Sequence, residues 1–242
     1  RMDEPLFDIP WEGIKNALKN HDIKLMIINN PHNPTGRIWT KNDYQTLYDI
    51  TKDKDILFIF DEVYDAMVYD EHTHISALEI PEFWSNSYVC FSFGKTFHTT
   101  GWKIAYTVAP EMLSTELRKL HQFTVFSVNT PGQYASAKFM ESNPNFINEL
   151  SSFYEQKRNY FLSGLVKTKF KPLKCEGSYF VLAQHQECLD DEDFCKKMVL
   201  EKKVAAIPIS AFYHDSYDPK IIRFCFAKND ETLAQANINL LN

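Results

Sequence analysis

With 242 residues, 44% of them hydrophobic and 24% charged, the sequence has material for one large globular domain or two small ones. A formal net charge of -6 argues against nucleic acid as the main partner, and no apolar run approaches the ~20 residues needed to span a membrane. Arg1-Met2-Asp3-Glu4-Pro5 lacks the apolar core of a signal peptide. Cys90, Cys175, Cys188, Cys195 and Cys225 are odd in number and never spaced C-x-x-C, so they read as reduced thiols of a cytoplasmic protein, mostly in core positions.

In chain order, an approach loop leads to a predicted helix from Trp11 to Lys19, with Trp11, Ile14 and Leu18 at spacings of three and four. Lys24 to Asn29 is a nearly continuous apolar strand, as in a parallel sheet covered on both faces. Asn30-Pro31-His32-Asn33-Pro34-Thr35-Gly36 reads as a loop, with Asn33 held extended by Pro34. Thr40 caps a helix through about Thr51, with Leu47 and Ile50 turned inward. Ile56 to Phe60 is the next buried strand and ends in Asp61-Glu62-Val63-Tyr64. Strand, helix, strand, with polar residues at both carboxyl ends, is the α/β arrangement in which ligands collect. An acid after five apolar residues is a notable pairing, although alone Asp61 is more often a plain loop carboxylate or helix cap than a functional acid. His72 and His74 lie in an acidic stretch with no third ligand at helical spacing, so a solvated loop is expected there rather than a metal site.

Ser87 to Phe91 is a strand that enters Ser92-Phe93-Gly94-Lys95-Thr96-Phe97-His98-Thr99-Thr100-Gly101-Trp102-Lys103, and Ile104 to Val108 is a strand that leaves it. This places Lys95 on a tight loop at a sheet edge, where Gly94 permits close approach of a ligand. A single lysine is most often a solvated surface residue. Gly94-Lys95-Thr96 also matches the end of a Walker loop, but Val89 stands where that pattern requires glycine. The remaining reading is a Schiff-base lysine for pyridoxal phosphate, which needs partners elsewhere in the chain.

Helices are predicted from Glu111 to about Phe126 (Leu113, Leu117 and Leu120 on one face), from Gln133 towards Glu141, and from about Asn145 to Lys167. Phe146, Leu150, Phe153, Phe161 and Leu165 form the buried stripe of the last. The remainder reads as a smaller α+β unit, with strands Ser178 to Leu182, Val204 to Ile207 and Ile221 to Phe226, and helices Asp191 to Lys202 and Asp230 to Leu241. A boundary near the long helix divides the chain into residues 1–150 and 151–242. Arg223 interrupts an apolar strand. It either faces solvent on an edge strand or offers a guanidinium fork to a carboxylate.

Taken together, Asn33, Asp61, Tyr64, Ser92, Lys95, Lys103 and Arg223 resemble the class I/II aminotransferases, the fold-type-I pyridoxal phosphate enzymes. Asn-Pro-His-Asn-Pro-Thr-Gly, Asp-Glu-Val-Tyr and Ser-Phe-Gly-Lys-Thr-Phe carry the likeness, with an arginine far downstream in Arg-Phe-Cys-Phe. His98 to Lys103, Phe126 to Pro131 and Cys175 to Phe180 are most similar to the kynurenine aminotransferase and glutamine transaminase group, particularly its bacterial methionine aminotransferase branch.

The resemblance implies an α/β large domain with a mostly parallel sheet, incomplete here, and a C-terminal α+β small domain. It implies pyridoxal 5'-phosphate joined to Lys95, with Asp61 on the pyridine nitrogen and Asn33 and Tyr64 on the phenolic oxygen. Ser92 and Lys103 are expected to hold the phosphate, and Arg223, with Asn33, the substrate α-carboxylate. It also implies amino acid and 2-oxo acid substrates and a homodimer with shared sites, to which Asn129 either contributes or is a helix-stop residue. Family members run to roughly four hundred residues, so the chain is expected to be the C-terminal three fifths or so of a longer protein. The phosphate-binding turn and the aromatic that stacks on the ring are absent from it. Transamination of a methionine, aromatic or glutamine-like amino acid is the leading expectation. A cysteine-conjugate β-lyase on the same cofactor and a non-catalytic fragment are the alternatives.

Overall fold

The computed structural model describes residues 7–215 and 217–241; the start of the approach loop, residues 1–6, lies outside the described residues. A helix, α1 (Trp11–Asn20), precedes β1 (Leu25–Asn29), α2 (Lys41–Thr51) and β2 (Leu57–Asp61). The Thr40 hydroxyl accepts the Asp43 N–H while the Asp43 carboxylate accepts the Thr40 N–H, a reciprocal cap that fixes where α2 begins. Two 3₁₀ turns (Ala77–Glu79 and Pro81–Asn86) lead into β3 (Ser87–Ser92), followed by α3 (Phe93–Thr96), a 3₁₀ turn at Thr100–Trp102 and β4 (Ala105–Val108). The first three strands are parallel and β4 is antiparallel, in the order β1-β2-β3-β4.

One face of this sheet closes on an aromatic core. Phe83 packs edge-on against Tyr44, Tyr48, Phe58 and Phe60 at 5.0–6.3 Å. Each such buried ring is worth about 1.5–3 kcal/mol of transfer free energy. The other face departs from the expectation of double coverage. Leu25 and Ile27 are 49% and 68% exposed, because among the described residues no element packs over them.

Three helices follow: α4 (Glu111–Thr124), α5 (Thr130–Ser142) and the 20-residue α6 (Phe146–Leu165). The expected stripes hold only in part. Leu113 is buried but Leu120 is exposed, and Phe153 is exposed while Leu150, Phe161 and Leu165 are buried. Asn129 is not a helix stop: it begins α5, its side-chain oxygen accepting the Gly132 N–H.

The second sheet comprises β5 (Lys171–Pro172), β6 (Phe180–Gln184), β7 (Ile207–Pro208) and β8 (Ile221–Cys225), antiparallel in the order β5-β6-β8-β7. Helices α7 (Asp191–Lys202) and α8 (Asp230–Leu241) accompany it. The strand expected over Val204 to Ile207 shrinks to Ile207–Pro208. Lys203 takes φ +57 to end α7, and Pro208, which has no N–H, gives way at once to a 3₁₀ turn. Of the cysteines, only Cys175 and Cys195 are buried; Cys90 and Cys225 are half-buried and Cys188 is exposed.

The two sheets meet through backbone. Gly36 O accepts from the N–H groups of Glu176 and Gly177, Ser178 N–H donates to Met67 O, and Tyr69 N–H donates to Glu176 O, at 2.8–3.0 Å. Gly36 has φ +72, and a Cβ there would lie 2.9 Å from Gly177 O, so no other residue fits. Tyr64, Met67 and Tyr69 then join Leu150, Tyr154, Phe180 and Phe226 in one core. Arg158, on α6 and 4% exposed, completes the joint. It grips both oxygens of Asp70 at 2.6 Å, donates to Cys175 O at 2.8 Å and lies over the Tyr69 ring.

Arg158→Ala would strand the buried Cys175 O and release the exposed Asp70 carboxylate to water. A loss of about 2–4 kcal/mol is expected in the full-length protein, read from the urea midpoint. A loss below about 0.5 kcal/mol would mean that backbone and core hold the joint without it.

Candidate active site

The register of the parallel strands sets the geometry. Asn29 pairs with Asp61, and Asp61 with Cys90, so the carboxyl ends of β1, β2 and β3 lie side by side. The Asn29 side chain ties the ends together: Nδ2 donates to Asp61 O at 2.8 Å, and Oδ1 accepts the Asn33 N–H at 2.6 Å. This fixes the Asn33 loop over the end of β2. Tyr64, in the turn after β2, is 4% exposed and packs edge-on against Tyr179 at 5.2 Å. Burial drives its phenol far above the ordinary range.

Lys95 is not on an open loop. It occupies the single helical turn α3, which folds back so that Thr99 N–H donates to Gly94 O at 3.0 Å. A Cβ on Gly94 would stand 3.1 Å from Thr100 Cα, which explains the glycine. The Lys95 Nζ lies 5.8 Å from the centre of the Tyr64 ring. Asp61 is held above the usual carboxylate range by burial, against the opposing pulls of the Val63 N–H and the Lys95 charge.

Arg223 comes to this cluster from the second sheet. Its strand, β8, is internal rather than at an edge, pairing with both β6 and β7. The guanidinium lies over the Phe180 ring at 3.9 Å and near Phe212 at 5.4 Å, and Nη1 donates to Asn33 Oδ1 at 2.6 Å. That bond spans 190 residues of sequence and joins the two sheets at the site. Burial lowers the arginine's pKa.

Ser92 closes β3 and is half-buried, whereas Lys103 is exposed at φ +56. Ala105, two residues on, pairs with Ser92 and keeps Lys103 at the same end of the sheet, although no hydrogen bond joins the two side chains among the described residues. Tyr179, Phe180, Phe212 and Asn29 also build the site without being predicted. Their only sequence signal is strand-like or loop-like context. His74 departs from a solvated loop: its Nε2 is 2.9 Å from Glu62, whose carboxylate is fully buried and also accepts the Ala77 N–H at 2.7 Å. His72 lies 3.6 Å from Glu176. Among the described residues no group of three or more possible metal ligands gathers, and no helix is long and apolar enough to cross a membrane.

Several polar groups here are incompletely partnered among the described residues. Arg223 Nε is buried without a hydrogen bond, the Lys95 amine makes none, and Asp61 accepts only a long one from Val63 at 3.4 Å. An isolated carboxylate, an amine, an amide and a guanidinium around two phenols fit a planar, anionic carbonyl compound with a protonatable ring nitrogen.

The fold and this site define an α/β protein of two sheets with a lysine–aspartate–arginine centre at their junction. More particularly, the chain belongs to the aminotransferase class I and II family, whose pattern matches residues 2–237. It is 39% identical over 237 residues to the methionine aminotransferase of Escherichia coli (strain K12), covering 97% of this chain and 61% of that one. Kynurenine–oxoglutarate transaminase 3 of Rattus norvegicus is 36% identical, covering 88% and 52% respectively. Among solved structures, Escherichia coli YbdL, with an identified methionine aminotransferase function, superposes with a TM-score of 0.94 at 39% identity, covering 99% of this chain and 64% of that one. A PLP-bound structure from Clostridium difficile 630 gives 0.88 at 26%, covering 100% and 63%. The chain thus spans about three fifths or less of the curated relatives it matches. The site residues fit pyridoxal phosphate, the cofactor this family implies.

Because its folded-state pKa is raised, Asp61 binds its proton more tightly in the folded, cofactor-free protein than in the unfolded chain. Its ionised form therefore costs stability, and the cost develops as pH rises from the ordinary carboxylate range through the raised folded value. Cofactor-free Asp61→Asn is expected to be at least as stable as the parent at pH 7 and to lose that decline in a pH series of thermal melts. A deficit in the variant that grows as pH rises through the carboxylate range would mean that attraction to Lys95 outweighs burial.

Proposed function

We propose that the complete protein is a pyridoxal phosphate-dependent aminotransferase, passing the amino group of a methionine-like, aromatic or glutamine-like amino acid to a 2-oxo acid. The observation that carries this reading is the Arg223–Asn33 bond, which brings a carboxylate-binding fork to the loop beside Asp61, Tyr64 and Lys95. When bound, the cofactor supplies an electron-accepting ring for the electron pair left when the substrate's Cα proton departs.

The protein's own groups do the rest. The Lys95 amine would hold the cofactor at its carbonyl carbon and would carry the proton at the substrate's Cα. The Asp61 carboxylate would accept a hydrogen bond from the ring nitrogen and keep it protonated, a demand matched by a half-buried acid lacking a full partner. Tyr64 and the Asn33 amide nitrogen would donate to the phenolic oxygen. Ser92 and Lys103 would receive the phosphate. Arg223 holds the α-carboxylate through its fork, and its place over Phe180 restricts how that fork can turn. We further propose a cytoplasmic homodimer with shared sites, consistent with the exposed Phe123, Phe126 and Tyr134 around the α4–α5 connection.

The test is the visible spectrum of the full-length protein with pyridoxal phosphate, before and after methionine. The expected result is a yellow band that collapses on methionine addition and is missing from a folded Lys95→Ala variant. A response to kynurenine or glutamine alone would keep the chemistry and move the substrate; no band in the parent would refute the proposal. Arg223→Lys keeps the charge but loses the fork and the stacking. It is expected to raise KM for the amino acid about tenfold or more, a lost charge-assisted hydrogen bond being worth about 1.5–3 kcal/mol.

A further inference from the structure

We infer that His98 and Tyr154 are a positioning pair, latching the turn that carries Lys95 onto helix α6. His98 lies three residues beyond Lys95 and holds φ +57, a conformation uncommon for a residue with a side chain. Its ring reaches α6, where Nδ1 lies 2.9 Å from the Tyr154 hydroxyl and the ring packs near Phe146 and Phe153. Among the described residues this is the only side-chain hydrogen bond or ion pair from residues 93–103 to α6.

The chemistry of the two partners suits a lasting bond. Burial pushes the Tyr154 phenol up, so it keeps its proton. His98 keeps an exposed edge, and partial burial, followed by the nearby Lys157 charge, lowers the pKa of its imidazole. In the tautomer protonated at Nε2, the Tyr154 hydroxyl donates to His98 Nδ1.

The helix at the other end of the bond is itself anchored. Arg158, one turn after Tyr154, grips Asp70, and the Ser151 hydroxyl donates to Val68 O. Tyr154 is 3% exposed, and its ring lies 5.9 Å from Tyr179, which in turn meets Tyr64 edge-on at 5.2 Å. The latch therefore references the Lys95 turn to the same aromatic wall that supports Tyr64 and Arg223. Displacement of a reacting amine by about 1 Å can cost on the order of a hundredfold in rate, so the turn needs such a reference. The rate consequence rests on the aminotransferase reading; the latch itself does not.

The decisive variant is Tyr154→Phe, which deletes one oxygen and keeps the ring. In the full-length, cofactor-loaded protein, amide hydrogen exchange at Phe97, Thr99 and Trp102 is expected to speed up about 3- to 10-fold, the factor for one net hydrogen bond. In steady-state assays kcat should fall by at least a similar factor while KM stays within about twofold. His98→Ala, which also loses the ring contacts and keeps a strained φ, should be impaired at least as much as Tyr154→Phe, and the double variant should be no worse than His98→Ala. His98→Asn, which tolerates positive φ and offers an acceptor oxygen, should recover most of the exchange protection. Unchanged exchange in Tyr154→Phe would overturn the proposal, as would losses that multiply in the double variant or a His98→Asn variant no better than His98→Ala. Should Tyr154→Phe fail to fold, His98→Asn is compared with His98→Gly, which also accepts positive φ but offers no side-chain acceptor; equal exchange in the two would overturn the proposal. If the parent transfers no amino group, the functional reading falls, while the exchange arm still decides the latch.

Discussion

The register of three parallel strands is the constraint from which the site follows. Backbone hydrogen bonding sets adjacent strands about 4.8 Å apart, so residues ending neighbouring strands in register are held at contact range whatever the loops do. Here that rule puts Asn29, Asp61 and the end of β3 in one row. The Asn29 side chain converts the row into a fixed platform by bonding to Asp61 O and to the Asn33 N–H. The candidate site residues are then hung from that platform: Tyr64 on the turn after β2, Lys95 on the turn after β3, and Arg223 brought in against the Asn33 loop.

Much of this is legible in the sequence because it is local. Alternation and apolar runs mark β2 and β3, the Thr40 cap marks α2, and acidic starts mark α7 and α8, whose observed spans Asp191–Lys202 and Asp230–Leu241 coincide with the predicted ones. Asn33, Asp61, Tyr64, Lys95 and Arg223 are legible as a set, since each sits in a short motif with its own loop or strand signature. The roles of Arg158 and His74 are not. One is an arginine within an apparently ordinary helix and the other a histidine in an acidic loop. Their partners, Asp70 and Glu62, lie 88 and 12 residues away, and no periodicity encodes such pairs. The coverage of β1 departs from expectation for a related reason: apolar side chains record what a strand is built to face, and the described residues do not include that neighbour.

The structure treats polar groups in two contrasting ways. At the joint between the sheets, Gly36 O, Met67 O, Cys175 O and the Asp70 carboxylate all have donors, and Glu62 is satisfied at full burial. At the site, Arg223 Nε and the Lys95 amine have no partner among the described residues, and Asp61 is poorly served. A chain able to satisfy a fully buried carboxylate nearby is not short of means to do so here. Unmet hydrogen-bonding capacity costs stability, and at this site a ligand would relieve it.

The Arg223–Asn33 contact ties recognition to architecture. Asn33 rides on the first sheet and Arg223 on the second, so the guanidinium is aimed by both at once. Any tilt of one sheet against the other that lengthens this 2.6 Å bond also re-aims the fork. An anion seated on Arg223 would therefore act as a strut between the sheets, and its grip would depend on the angle between them. The arginine would then work as a gauge of inter-sheet geometry.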